Sequence, residues 1–267
     1  MKPKTEQQLR AISRHFRPLL QDGTRPVEFI GRIAAEVPDL LRHGMRGRDF
    51  RYYLDLCGVQ ALPIVLLICL LMGMVMAING QIQLSKFGQE LLVADAVGLV
   101  VVKELGPLMV ALVMTGWAGS AFAAEIGTMK LDEQICALET MGIRPESFLV
   151  FPKLSAMLLS MPLLTIFGNV AGILGGMLVG ITIMKITPVA YWTRTLEAIN
   201  ITTFVLGVLK SFPFAILVTF AGCFCGFNAA NNSQGVGRGA TKAVVSSIFL
   251  IVVADVIITV LYSFIGY

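Results

Sequence analysis

Five apolar runs constrain this chain more than any other feature: residues 59–79, 91–124, 154–184, 198–227 and 243–267. The first is uncharged and has the roughly 20 residues a bilayer core needs from a helix. The second, at 34 residues, would be about 51 Å long as a straight helix, well beyond a ~30 Å hydrocarbon core. It must tilt, kink or begin with an interfacial portion, and Gly106-Pro107 is the natural place for a bend. The third run is uncharged, the fourth is broken by Lys210 and the fifth by Asp255. With 56% hydrophobic and 14% charged residues in the whole chain, a soluble domain is excluded and an integral membrane protein with five spans is expected.

Charge outside the runs orients them. Residues 1–51 hold 11 Lys and Arg against 6 Asp and Glu, whereas the remainder is close to neutral. A basic segment ahead of the first span favours retention in the cytoplasm, and the segment lacks the architecture of a signal peptide. Five crossings from a cytoplasmic N-terminus put the C-terminus outside. Lys130, Arg144, Lys153, Arg238 and Lys242 then fall in inner loops, with Lys86, Lys185 and Arg194 outside. Within the basic segment Thr24 can cap a helix whose first turn holds Pro26. Val27, Ile30, Ala34, Val37 and Leu41 recur at helical spacing opposite Arg25, Glu28, Arg32 and Glu36. That pattern suits an amphipathic helix in the membrane interface, or a soluble helix packed on a partner. Two regions follow: a cytoplasmic N-terminal segment, 1–52, and a transmembrane region, 53–267.

Charges inside the spans are costly, about 2.5–3.5 kcal/mol each on insertion scales. Lys103 lies 12 residues after Leu91, Lys210 12 after Ala198, and Asp255 12 before Tyr267. At 1.5 Å per residue all three sit about 18 Å from the outer end of their spans, which suggests one common layer. An ion pair such as Lys210–Asp255 would offset part of the cost. Lys103 and Glu104 are adjacent, about 100° apart on a helix, so both cannot share one face. The residues allow a register-fixing set of ion pairs, a polar patch receiving a charged headgroup, or a proton or ion relay.

Gly168, Gly172, Gly176 and Gly180 recur every fourth residue in the third run, a smooth stripe suited to close helix packing within one subunit or at a dimer seam. Between the second and third runs, Leu131, Ile135 and Leu138 fall on one helical face with Asp132, Glu133 and Glu139 off it, and Gly142 is a plausible stop. A short amphipathic helix with an acidic face is expected there, either a docking surface or a plain linker. Cys57, Cys69, Cys136, Cys223 and Cys225 form no CxxC pair, and His15 and His43 are the only histidines. The cysteines read as small packing residues, with no metal site. GVGRGATK, residues 235–242, fails the phosphate-loop spacing, because its sixth position is Ala240 and Lys242 precedes Ala243. No nucleophile–base set and no ATPase motif is present, so an enzyme is not expected and ATP energy would have to come from another chain.

KELGPLMVALVMTG, AGSAFAAEIGTMKLDEQICALETMGI and GVGRGATKAVVSSIFLIVVAD together resemble the MlaE (YrbE) permease family of lipid-transporting ABC systems, from about residue 45 to the C-terminus. The resemblance implies an all-α membrane protein: an N-terminal interfacial helix, five transmembrane helices and a cytoplasmic coupling helix between the second and third. It also implies a homodimer enclosing a phospholipid cavity in a bacterial inner membrane, with a periplasmic C-terminus. Implied partners are cytoplasmic ATPase subunits holding ATP and Mg, a STAS-domain accessory protein and a periplasmic ring of MCE-domain subunits; nucleic acid is not among them. By the same likeness the lipid route meets Lys103, Glu104, Lys210 and Asp255. The ATPase contact falls between Glu125 and Met141, on Glu125, Thr128, Asp132, Glu133, Glu139 and Met141. Trp117 departs from the family, which usually has arginine in a GRxG pattern where this chain reads GWAG. Lys103, where many members carry arginine, keeps the charge but loses bidentate geometry. The expected function is therefore a phospholipid permease driven by separate ATPases. The alternatives are an ion- or proton-coupled carrier using Glu104 and Asp255, or a membrane scaffold without transport.

Overall fold

The computed structural model describes residues 47–87 and 91–264. The expected interfacial helix over 24–41, with His15 and His43, lies outside the described residues. Those residues form seven helices: α1 Gly47–Leu84 and α2 Leu92–Leu131, α3 Gln134–Thr140, α4 Pro145–Thr182, α5 Pro188–Ala198, α6 Ile201–Phe227 and α7 Ser233–Phe264. Five of them, α1, α2, α4, α6 and α7, are long and apolar enough to cross a membrane. No strand occurs among the described residues.

The starts follow ordinary helix chemistry. Arg144, Thr187 and Asn200 have extended backbones immediately before α4, α5 and α6, and Pro145 and Pro188 occupy first helical positions where no amide is needed. Asn232 begins α7 by accepting the Gly235 N–H on its side-chain oxygen at 2.6 Å. Proline also lies inside α4, at Pro152 and Pro162, and inside α6, at Pro213. Around Pro152 the Ser155 hydroxyl donates back to the Phe151 and Pro152 carbonyls at 3.0 and 3.1 Å.

Close backbone contact joins the spans. A Cβ on Gly73 of α1 would stand 1.9 Å from the Gly172 carbonyl of α4, and one on Gly175 would stand 2.1 Å from the Leu70 carbonyl. These helices touch backbone to backbone, which small residues alone permit. The core of buried side chains runs along the same axis, from Tyr53 and Cys57 through Met114, Phe122 and Met161 to Phe214 and Ile251.

Several expectations are corrected here. Lys130, Lys153, Arg238 and Lys242 are not loop residues; each lies within a helix that outlasts its apolar run. The connector is not one amphipathic helix through Leu131, Ile135 and Leu138. α2 continues to Leu131, and Glu133 adopts a left-handed backbone at φ 59°. Only the seven residues of α3 follow before Gly142, at φ 73°, ends them. Ile135 is buried but Leu131 is exposed. Among the cysteines, Cys136 is exposed on α3, whereas Cys57, Cys69 and Cys223 are buried as packing residues.

The irregularity expected at Gly106-Pro107 falls one turn earlier. Val101–Leu105 is a π-helical turn, closed by the Gly106 N–H bonding the Val101 carbonyl. Pro107 has no N–H for the Lys103 carbonyl and crowds it; a turn widened by one residue moves that carbonyl aside. A second π turn, Thr115–Gly119, lies lower in α2, and a third, Asp55–Val59, lies in α1. The last two meet: the Trp117 indole donates to the Leu56 carbonyl at 3.0 Å. A carbonyl displaced by one wide turn is thus satisfied by a side chain from the other.

Candidate functional site

The widened turn before Pro107 presents Glu104, and α6 meets it there. A Cβ on Gly207 would lie 2.1 Å from the Val102 carbonyl, so α6 presses its bare backbone against the wide turn. Lys210, three residues on and on the same face, is thereby carried onto Glu104. Its ammonium bonds Glu104 Oε2, Thr259 Oγ1 at 2.9 Å and Asp255 Oδ1 at 3.3 Å. An ammonium has three donors, and all three are used. Asp255 and Thr259 are four residues apart on one face of α7, and the Thr259 hydroxyl donates to Glu104 Oε1 at 3.3 Å. The Tyr262 ring stands 5.8 Å from the same nitrogen.

Exposure divides this cluster unevenly. The Lys210 side chain is 0% exposed, Glu104 28% and Asp255 19%. A buried cation is therefore faced by two carboxylates whose outer edges remain open, and the formal charge of the three groups is −1. Lys103 shares the wide turn but not the cluster; it is half-buried and has no ion-pair partner among the described residues. Thr259 carried no signal in the sequence, since a threonine in an apolar run is ordinary.

A second buried lysine lies on α4. Lys153 Nζ is 2.8 Å from the Tyr53 hydroxyl oxygen and 3.3 Å from Glu125 Oε1, while Tyr53 donates to the same Glu125 oxygen at 2.6 Å. Lys153 is 0% exposed and also lies over the Tyr53 ring, 4.3 Å from its centroid. This triad ties α1, α2 and α4 together near the connector. Its one trace in the sequence was a lysine bordering an uncharged run.

Of the connector residues, Glu125 is turned inward onto that triad. Thr128, Asp132, Glu133, Glu139 and Met141 are exposed, with Met141 at 65%, and they crowd one end of the bundle around α3. At the same end Lys130 donates to the Phe227 and Ala229 carbonyls, both at 2.8 Å, capping the end of α6. The glycine stripe of α4 faces inward: Gly168 and Gly172 meet Cys69, Val110 and Val101, and Gly176 and Gly180 meet Tyr191 of α5. Burial pushes the Tyr191 phenol up to about 12, so it stays protonated at neutral pH. Beside it, Arg194 of α5 stands 4.0 Å from Asp95 of α2.

A sequence model described as Permease MlaE matches residues 50–261. The chain belongs to the MlaE permease family. The match takes in Lys103, Glu104, Lys210, Asp255, the Lys153 triad and the whole connector. Among relatives, the intermembrane phospholipid transport system permease protein MlaE of Haemophilus influenzae is 36% identical over 203 residues, 76% of this chain and 78% of its own length. A protein of Rickettsia typhi named a probable ABC transporter permease is 35% identical over 202 residues, 76% of this chain and 78% of the relative. One of Synechocystis, named likewise, is 28% identical over 216 residues, 81% and 82% of the two chains. This MlaE-family chain is thus an ABC transporter permease, and its five long apolar helices make it a multi-pass membrane protein.

Proposed function

We propose that this chain is the membrane subunit of an ABC phospholipid transporter moving lipid between the inner and outer membranes of a bacterium. The observation that carries the reading is the Glu104–Lys210–Asp255–Thr259 cluster, a polar centre with an open carboxylate edge inside an otherwise apolar bundle. A cluster that only fixed helix register would be expected to close over both acids. The open edge suits a group that comes and goes.

Two copies of the chain would enclose the cavity, with the cluster on its wall. α7 is the span least covered by the rest of the chain, with Val252, Val256 and Val260 all exposed, and so has apolar surface for a second copy or for acyl chains. The formal −1 charge favours the ammonium end of a zwitterionic headgroup at Glu104 and Asp255, while Lys103 on the same turn serves the phosphate. Energy comes from separate ATPase subunits that hold ATP and Mg. They dock on α3 and its acidic surroundings, Asp132, Glu133 and Glu139, with Thr128 and Met141 at the margin. The Tyr53–Glu125–Lys153 triad would transmit their movement into α1 and α4. A STAS-domain protein on the ATPases and an MCE-domain ring at the periplasmic side complete the assembly, with the N-terminus cytoplasmic and the C-terminus periplasmic.

The test is reconstitution with and without the ATPase partners. Lipid transfer is expected only with partners and hydrolysable ATP, and Glu104→Gln should lower it while leaving complex assembly intact. Transfer driven by a proton gradient without nucleotide would overturn the reading in favour of an ion-coupled carrier.

A further inference from the structure

The turn between α6 and α7 borders a partly open cavity of about 440 Å³, walled by Cys225, Asn228, Asn232, Arg238, Lys242 and Ser246 among others. A more open groove beside it shares Arg238 and Lys242 and adds Gly237 and Thr241. Among the described residues no carboxylate lines either space. Neither Arg238 nor Lys242 has an ion-pair partner among the described residues, and both are exposed. Local dipoles reinforce the positive field. The cavity adjoins the N-terminal turn of α7, and the opposing C-terminal carbonyls of α6 are already neutralised by Lys130. The segment that failed as a phosphate loop is helix in the structure, and its two cations are one turn apart on one face.

That face continues in a telling way. Arg238, Lys242, Val245, Phe249, Val252 and Val256 succeed one another at alternating spacings of four and three, a single stripe along α7. Val245 is 63% exposed, Phe249 68%, Val252 48% and Val256 59%. Two cations with no ion-pair partner among the described residues therefore stand at the head of an exposed apolar stripe, where the membrane-spanning run of α7 begins. A free phosphate would use the cations and leave the stripe idle. An amphiphile with an anionic head uses both.

We infer that the α6–α7 turn is a binding site for the phosphate headgroup of an anionic lipid, held by Arg238 and Lys242 with its acyl chains along Val245 and Phe249. Basic pockets between transmembrane helices bind such headgroups elsewhere. The site shares α7 with the Lys210 cluster but is distinct from it: its cations precede Asp255 by more than three turns, it is at the connector end of the bundle, and its charge is of the opposite sign. It requires only that α7 lie in a membrane, so it stands or falls independently of the transport reading.

The experiment uses the full-length protein in detergent micelles, with lipid retention read by native mass spectrometry. Phosphatidylglycerol is expected to bind in preference to phosphatidylcholine. A basic residue near the membrane surface contributes about a fivefold gain in affinity for acidic lipid, so Arg238→Gln/Lys242→Gln should weaken phosphatidylglycerol retention about 25-fold. The charge-preserving Arg238→Lys/Lys242→Arg protein should keep it, which guards against a folding artefact. Phe249→Asn should weaken lipid binding without altering the response to salt. Equal retention of the two lipids, or an unchanged double variant, overturns the proposal. So does displacement of the lipid by millimolar inorganic phosphate, which would make this a free-phosphate site. If the double variant loses only an acidic protein partner and keeps its lipid, the surface is a protein interface and the proposal also fails.

Discussion

Lys210→Met is the most informative single change in this chain. The methionine roughly keeps the volume of the lysine stem but removes three hydrogen bonds at once. Glu104 and Asp255 then face each other with no cation between them, and only the Thr259 hydroxyl remains to bond Glu104. Removing one partner of a buried ion pair costs about 3–5 kcal/mol, because the other charge stays buried and unpaired. Here the carboxylates retain 28% and 19% exposure, so the lower end, about 3 kcal/mol, is expected. Reversible unfolding in mixed detergent and SDS micelles, followed by helical circular dichroism, measures it. The triple change Lys210→Met/Glu104→Gln/Asp255→Asn supplies the control. With no charge left to bury, its stability should return to within about 1 kcal/mol of the parent. Lipid transfer in the reconstituted complex should be lost in both variants, in the single one because the acids are no longer held by Lys210 and in the triple one because the carboxylates are gone. Two results would refute the reasoning: a single variant as stable as the parent, or a triple variant less stable than the single. Recovery of transfer in the triple variant would instead show the charges to be structural only.

Three further changes probe other parts of the frame. Gly73→Ala places a methyl 1.9 Å from the Gly172 carbonyl; separating α1 from α4 should cost about 1–3 kcal/mol, read as earlier heat-induced aggregation in detergent. Tyr53→Phe deletes the hydroxyl between Lys153 and Glu125, and the loss of bonds to charged groups should destabilise by about 1.5–3 kcal/mol in the same micelle titration, leaving the Lys153–Glu125 pair in direct contact. Lys130→Ala uncaps α6 at two carbonyls and should cost about 1 kcal/mol, with faster amide exchange confined to the last turn of α6 and the residues before α7.

The five spans were legible because a bilayer imposes a length, and the apolar runs report it directly. Their ends were not. Helices here continue past their apolar runs into residues that carry charge, so Lys130 and Lys153 looked like loop residues. In the structure the first caps a neighbouring helix, and the second lies fully buried. Nothing within a few residues of Lys153 announces this burial, because its partners Tyr53 and Glu125 are 100 and 28 positions away. The split connector escaped for another reason. Glu133 takes a left-handed backbone that glycine or asparagine would have advertised and glutamate does not. The π turns have no residue signature at all; only the proline at 107 hints at one of them.

The intramembrane charges were the most legible part of the candidate site, and the reason is physical. A charge in an apolar run must find a partner, and the candidates at the same depth are few. Counting residues from the span ends was enough to bring Lys210 and Asp255 to one layer, and they meet at 3.3 Å. Counting alone could not decide between Lys103 and Glu104, since neighbours on a helix have nearly the same depth. Rotation decides it, and rotation is set by the π turn and by Gly207, neither of which depth reports. The wide turn sends Glu104 to Lys210 and leaves Lys103 without an acidic partner among the described residues. The same device that accommodates Pro107 thereby separates the two charges of one dipeptide, placing the anion in the cluster and the cation outside it.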